Sequence, residues 1–170
     1  AGCGGKETMK RTHIEMETSL GTMEIELYDD LAPATAANFK KLVEEGFYDG
    51  LRFHRVIKGF MIQTGDPLTK DDSMKERWGT GGPGYQIPDE FGEGLKHTDK
   101  GILSMANSGP NTGGSQFFVT LAPTPWLDGK HAIFGHLIAG EDVLEKIGNV
   151  KTDGQDKPAA DVMIVKVSVE

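Results

Sequence analysis

The chain has 170 residues, a length that one domain accounts for, and a domain of this size buries roughly 70% of the surface its unfolded chain exposes. Such a core needs no metal or disulfide to hold it, and the single cysteine, Cys3, leaves no pair within the chain. With 18 Lys and Arg against 26 Asp and Glu, the formal charge is −8 and the basic residues are scattered, so neither nucleic-acid phosphate nor anionic lipid is a natural partner.

The chain opens Ala1-Gly2-Cys3-Gly4-Gly5. Small residues before a cysteine, followed by a polar stretch, resemble what remains of a bacterial lipoprotein signal once its apolar part is removed. A flexible tail or a cloning scar accounts for the same residues equally well. No apolar run is long enough to span a bilayer, so a membrane link would be a lipid on Cys3. The location expected is the bacterial cell envelope if that lipid is present, and the cytoplasm otherwise. Residues 1–12 are small or charged and read as a flexible tail, with one domain over 13–170.

From His13 to Thr18 polar and apolar residues alternate. Gly21 interrupts, and Thr22 to Tyr28 alternates again, which predicts a β-hairpin. Pro33 suits the first turn of a helix, Ala37, Leu42 and Val43 with nearby Phe39 give it an apolar face, and Gly46 ends it. Strands are predicted at 51–57 and 60–64. Residues 65–100 are rich in Gly, Pro, Asp and Lys, and so long an irregular stretch in a compact domain is usually functional. Strands return at 102–106, 116–121 and 132–138. A second helix is predicted over 141–148, with Val143, Leu144 and Ile147 on one face, and 161–169 alternates as a closing strand. Many strands and few helices favour a barrel or sandwich over a parallel sheet. No exposed apolar stripe calls for a partner, so a monomer is expected.

Most chemical motifs fail. Gly79-Thr80-Gly81-Gly82-Pro83-Gly84 matches G-x-G-x-x-G in form, but Lys75 to Trp78 is no apolar strand and Pro83 breaks the helix a dinucleotide would need. None of the five histidines pairs with a carboxylate at zinc-motif spacing. No serine sits in G-x-S-x-G, and no two carboxylates are singled out for glycosidase chemistry. No metal or cofactor is therefore expected. What remains are segments in which apolar residues surround a single hydrogen-bonding group. The most pointed is FHRVIKGFMIQTGD, Phe53 to Asp66, where Arg55 and Gln63 stand among residues that belong in oil.

Taken with GILSMANSGPNTGGSQFFVT and WLDGKHAIFG, that segment resembles the cyclophilin family of peptidyl-prolyl cis-trans isomerases. The resemblance runs from about His13 to the end, with the segments in the family's order. It implies a closed eight-stranded antiparallel β-barrel capped by two α-helices, with the peptide on the outer face and the interior packed. By resemblance, Arg55 is the catalytic residue. Phe60, Met61, Phe118 and Leu127 form a proline pocket with His131 at its edge. Gln63 and Asn107 hold the peptide backbone with Ala106 and Gln116, and Trp126 lines the rim. His54 divides evenly between a structural and a functional role. The implied substrates are proline-containing peptides and unfolded or partly folded proteins, with cyclosporin as a candidate inhibitor.

The resemblance also implies a second pocket, for residues preceding the proline, bordered by Gly79, Thr80, Gly81 and Gly82. Asp89 and Glu90 fall near its gatekeeping positions, so a preference for basic side chains is expected there. The connection 67–78 is longer than in the best-known eukaryotic members. It either alters substrate preference or decorates the surface, and Trp78 within it is expected to pack back onto the barrel.

Overall fold

A computed structural model describes residues 10–170. Cys3 lies outside the described residues, and with it the expectation of a lipid there. Arg11 and Thr12, assigned to the tail from sequence, are tied to the body. Arg11 Nε donates to Asp30 at 2.9 Å, and Thr12 donates to Asp29 through its backbone N–H at 2.8 Å and its hydroxyl at 2.6 Å.

The strands are β1 (His13–Thr18), β2 (Gly21–Leu27), β3 (Arg55–Ile57), β4 (Met61–Thr64), β5 (Ile102–Met105), β6 (Phe117–Thr120), β7 (Ile133–Ala139) and β8 (Ile164–Val169). The helices are α1 (Pro33–Glu44) and α2 (Glu141–Gly148). All eight strands join one sheet in the order β3-β4-β6-β5-β7-β2-β1-β8, every pairing antiparallel. The predicted hairpin is β1–β2, with Ile14 opposite Ile25 and Met16 opposite Met23 on its buried face.

The sheet curls until its ends meet, but it does not close into the barrel expected from the resemblance. At the seam, residues 50–53 meet 162–164: Gly50 N–H bonds Ile164 O at 2.8 Å, Phe53 N–H bonds Val162 O at 2.9 Å, and Arg52 bridges to Met163. β3 then departs, and Val56 N–H bonds the Asp156 carbonyl of a loop instead of β8. The predicted strand 51–57 is thus two pieces. The reason is a slip in alternation. Leu51 and Phe53 point inward, and so does Val56, with buried His54 spanning the change of parity.

One core fills the curl. Phe39 of α1 lies 5.2 Å from Phe117 and 5.1 Å from Phe134, ring centre to ring centre. Val143, Leu144 and Ile147 of α2 enter the same cluster. The 67–78 segment forms two 3₁₀ turns, Pro67–Lys70 and Asp72–Arg77, in which Leu68 N–H and Ser73 N–H bond the carboxylates of Asp66 and Asp71. Trp78 does pack back. Its indole lies under the Arg52 guanidinium at 5.2 Å, and Arg52 also reaches Asp72 at 2.9 Å and Asp161 at 3.2 Å across the seam.

Candidate active site

Antiparallel pairing sets Arg55 opposite Gln63, Gln63 opposite Phe118, and Phe118 opposite Ser104. The next row over is Val56, Ile62, Val119 and Leu103. Successive strand residues face opposite ways, so the apolar row fills the core and the first row lies on the outer face of the sheet, where other segments cover Phe118 and Ser104. The same parity separates the adjacent phenylalanines: Phe117 is in the core and Phe118 is outside it.

Around the outer row, connecting segments raise walls. The turn into β4 brings Phe60, whose carbonyl accepts from Leu121 N–H at 2.9 Å. A 3₁₀ turn at Pro125–Leu127 brings Leu127 and a largely exposed Trp126, 5.9 Å from the Phe60 ring. His131 meets Phe118 edge-on at 5.4 Å, with its Nδ1 2.8 Å from the Met105 carbonyl. The result is a hollow of about 250 Å³ lined by Arg55, Phe60, Met61, Gln63, Ala106, Asn107, Phe118, Leu127 and His131. Of the sequence-predicted residues for this site, Trp126 stands at the rim and Gln116 lies outside the hollow.

Gln116 lines a second, larger groove of about 620 Å³, which shares Gln63, Ala106 and Asn107 with the first. Gly79, Thr80, Gly81 and Gly82 border it as expected. Asp89 does not line it. Its carboxylate accepts from Asn111 N–H at 3.0 Å, and Asn111 Oδ1 accepts from Asp89 N–H at 2.8 Å. The Glu90 carboxylate is spent on α1, accepting from Thr35 N–H at 2.8 Å and Ala34 N–H at 3.2 Å, the orphan donors of a helix whose N-cap residue is Ala32. Among the described residues no charged side chain lines the second groove, so the expected preference for basic residues has no carboxylate there to supply it.

The two hollows are joined by side-chain amides. Arg55 Nη1 donates to Gln63 Oε1 at 3.3 Å, Gln63 Nε2 to Gln116 Oε1 at 3.1 Å, and Gln116 Nε2 to the Gly81 carbonyl at 2.8 Å. Gly81 is held from behind by Asp66, which is fully buried and accepts from Leu68 N–H at 2.8 Å, Gly79 N–H at 2.5 Å and Gly81 N–H at 3.2 Å. A Cβ on Gly81 would stand 2.1 Å from an Asp66 oxygen, so the loop can come this close only as glycine. Among the described residues, Arg55 is the only permanently charged side chain lining either hollow. His54 lines neither. It is buried behind Gly79, and burial lowers its pKa to about 4, so it is neutral at pH 7.

Sequence reasoning missed Asp66 and His97 as supports of this surface. His97 stacks on Phe118 with ring centres 6.2 Å apart. Both lie in or beside the irregular 65–100 stretch, where no periodicity marks which side is buried. A signal was available for Asp66: the Asp-Pro step that starts a 3₁₀ turn wants a capping acceptor.

Residues 13–169 match the family model for cyclophilin-type peptidyl-prolyl cis-trans isomerase. The chain is 52% identical to peptidyl-prolyl cis-trans isomerase-like 1 of Neurospora crassa over 93% of its own length and 94% of that protein's. A crystal structure of a Cryptosporidium parvum cyclophilin-type peptidyl-prolyl cis-trans isomerase superposes with a TM-score of 0.88 at 36% identity, covering 95% of this chain and 98% of that one. A second structure of that protein, in the presence of the dipeptide Ala-Pro, superposes with a TM-score of 0.86 at 36% identity, covering 93% and 98% of the two chains.

Proposed function

Because the chain belongs to the cyclophilin-type peptidyl-prolyl cis-trans isomerases, a family of enzymes, we propose that it turns X–Pro bonds by seating the proline ring in the 250 Å³ hollow and offering the twisted amide the guanidinium of Arg55. The observation that carries this reading is the placement of Arg55, among the described residues the one permanent cation on the wall of a hollow otherwise built from Phe60, Met61, Phe118 and Leu127 with Gln63, Ala106, Asn107 and His131.

A peptide bond resists rotation because nitrogen shares its lone pair with the carbonyl, and the barrier is about 18–20 kcal/mol. Halfway through the turn that sharing is lost and the nitrogen becomes a better acceptor. A guanidinium cannot give up its proton at neutral pH, so it is a constant donor. It bonds the twisted form better than the planar one, and only such a difference in binding speeds the step. Gln63 occupies one end of the fork and fixes its plane, leaving other N–H groups for substrate. The apolar walls exclude water, which strengthens the bond. No proton is transferred and no covalent intermediate forms.

A preorganised donor of this kind is worth roughly 10²–10³ in rate. Replacing Arg55 by Ala should therefore lower kcat about a hundredfold with little change in peptide affinity, measured by exchange NMR on a proline peptide. Exchange in the variant within about threefold of the wild type would remove Arg55 from the mechanism. The Ala-Pro dipeptide used with the Cryptosporidium relative supports the substrate class. The exposed Trp126 beside Phe60 supports cyclosporin as a competitor for the same surface, checked by displacement of the proline peptide.

A further inference from the structure

We infer that His97 is a positioning residue for the proline hollow, holding Phe118 and the Trp126–Leu127 rim in place through the hydrogen-bonded chain Asp128–His97–Ser104, which runs from a partly exposed carboxylate to two buried groups; this rests on the reading of the hollow given above. The His97 side chain is fully buried. Its backbone N–H donates to Asp128 Oδ1 at 2.7 Å, and its Nδ1 lies 2.8 Å from the same oxygen. Its Nε2 lies 2.8 Å from Ser104 Oγ. A carboxylate only accepts, so Nδ1 carries the hydrogen; in the neutral ring Nε2 is then bare, and the Ser104 hydroxyl donates to it.

Carboxylate, imidazole and hydroxyl stand in the order of a hydrolase triad. Ser104 and His97 are both fully buried, so no acyl group can reach the serine, and the arrangement holds structure instead of attacking substrate. What it holds is specific. Ser104 is the register partner of Phe118, and the imidazole lies within 15° of parallel to the Phe118 ring. The Pro125–Leu127 turn is gripped at both ends: Thr124 N–H bonds the His97 carbonyl at 2.9 Å, and Asp128, just beyond the turn, takes the two bonds from His97. Burial holds the imidazole below the usual histidine range against the pull of Asp128, which favours the neutral form this chain requires.

The experiment compares wild type, His97→Phe, His97→Asn and Phe118→Ala on a proline tetrapeptide, with KM and kcat measured separately and the folded fraction set by near-UV circular dichroism. The Phe variant keeps a ring for Phe118 but loses both polar contacts. The Asn variant places an amide nitrogen where Nδ1 was and keeps Asp128. His97→Phe should raise KM about tenfold, the loss of one hydrogen bond to a charged acceptor, with kcat per folded molecule changed less than about threefold. His97→Asn should recover most of that loss. If His97→Phe does not fold, Ser104→Ala provides the same test, with KM expected to rise about threefold. An unchanged KM in the folded variants, or an Asn variant no better than Phe, overturns the inference. Phe118→Ala with an unchanged KM, or an inactive wild type, overturns the reading of the hollow instead.

Discussion

Replacing Asp66 by Asn keeps the shape of the side chain and removes its ability to accept on both oxygens. In the wild type, Oδ1 takes Leu68 N–H, and Oδ2 takes Gly79 and Gly81 N–H, all away from water. An asparagine with its oxygen toward Leu68 points an NH₂ at two glycine donors. Flipped, it points the NH₂ at Leu68. Either way at least one bond becomes a donor facing a donor. Hydrogen bonds to a charged acceptor are worth about 1.5–3 kcal/mol each, and a buried orphan donor costs about 1–3 kcal/mol more, so a loss near 3 kcal/mol is expected. For a domain of this size that lowers the melting temperature by about 6–12 °C. The functional effect should be selective. Freeing Gly81 removes the acceptor of Gln116, so KM should rise for peptides with several residues before the proline and change little for a capped Ala-Pro unit. Scanning calorimetry and exchange NMR on the two substrates measure both effects. An Asn variant melting within about 1 °C of wild type, or weakening both substrates equally, would refute the anchoring role.

His54 should make the protein acid-sensitive. Its folded pKa of about 4 lies below the ordinary 6.5 because of burial, so the unfolded chain takes up a proton first. Stability should be full above pH 6.5 and fall by about 3 kcal/mol as pH drops to 4, and His54→Gln should flatten that decline in denaturant titrations; parallel curves would count against it. Phe117→Ala empties the core and should cost about 3–5 kcal/mol of stability with KM unchanged in the folded protein, whereas Phe118→Ala, also at a buried position, should cost stability and raise KM as well, checked by melting and kinetics. Arg52→Ala removes the cation above Trp78 and the links to Asp72 and Asp161. Amide exchange across 67–78 should accelerate about tenfold, as expected for loss of one cation–π contact and partly exposed ion pairs, while unchanged protection would leave that segment held by other means.

The regular elements were legible because burial imposes a period. His13–Thr18 and Gly21–Leu27 alternate in sequence as they do in burial, and both helices carry their apolar faces openly. The split of 51–57 left a trace too, in the slip of alternation between Phe53 and Val56, which a strand template smooths over. Much of the site came through resemblance, since nothing about Gln63 or Asn107 alone marks a binding surface. The supports were not legible because they depend on long-range meetings. Glu90 serves α1 from 55 residues away, and the only sequence hint is negative: Ala32 precedes the helix with no oxygen to cap it. Asp89 misled for the same reason, since its partner Asn111 lies 22 residues on.

The run from Arg55 through Gln63 and Gln116 to Gly81 has a direction. A guanidinium can only give hydrogen bonds and a carbonyl can only receive them, so the two ends dictate how both carboxamides between them must be turned. Rotating either one by half a turn sets like against like at both of its contacts. Each glutamine therefore shows an arriving chain a fixed pattern of unused lone pairs and protons, set before anything binds, and the floor between the two depressions is lettered in one orientation only.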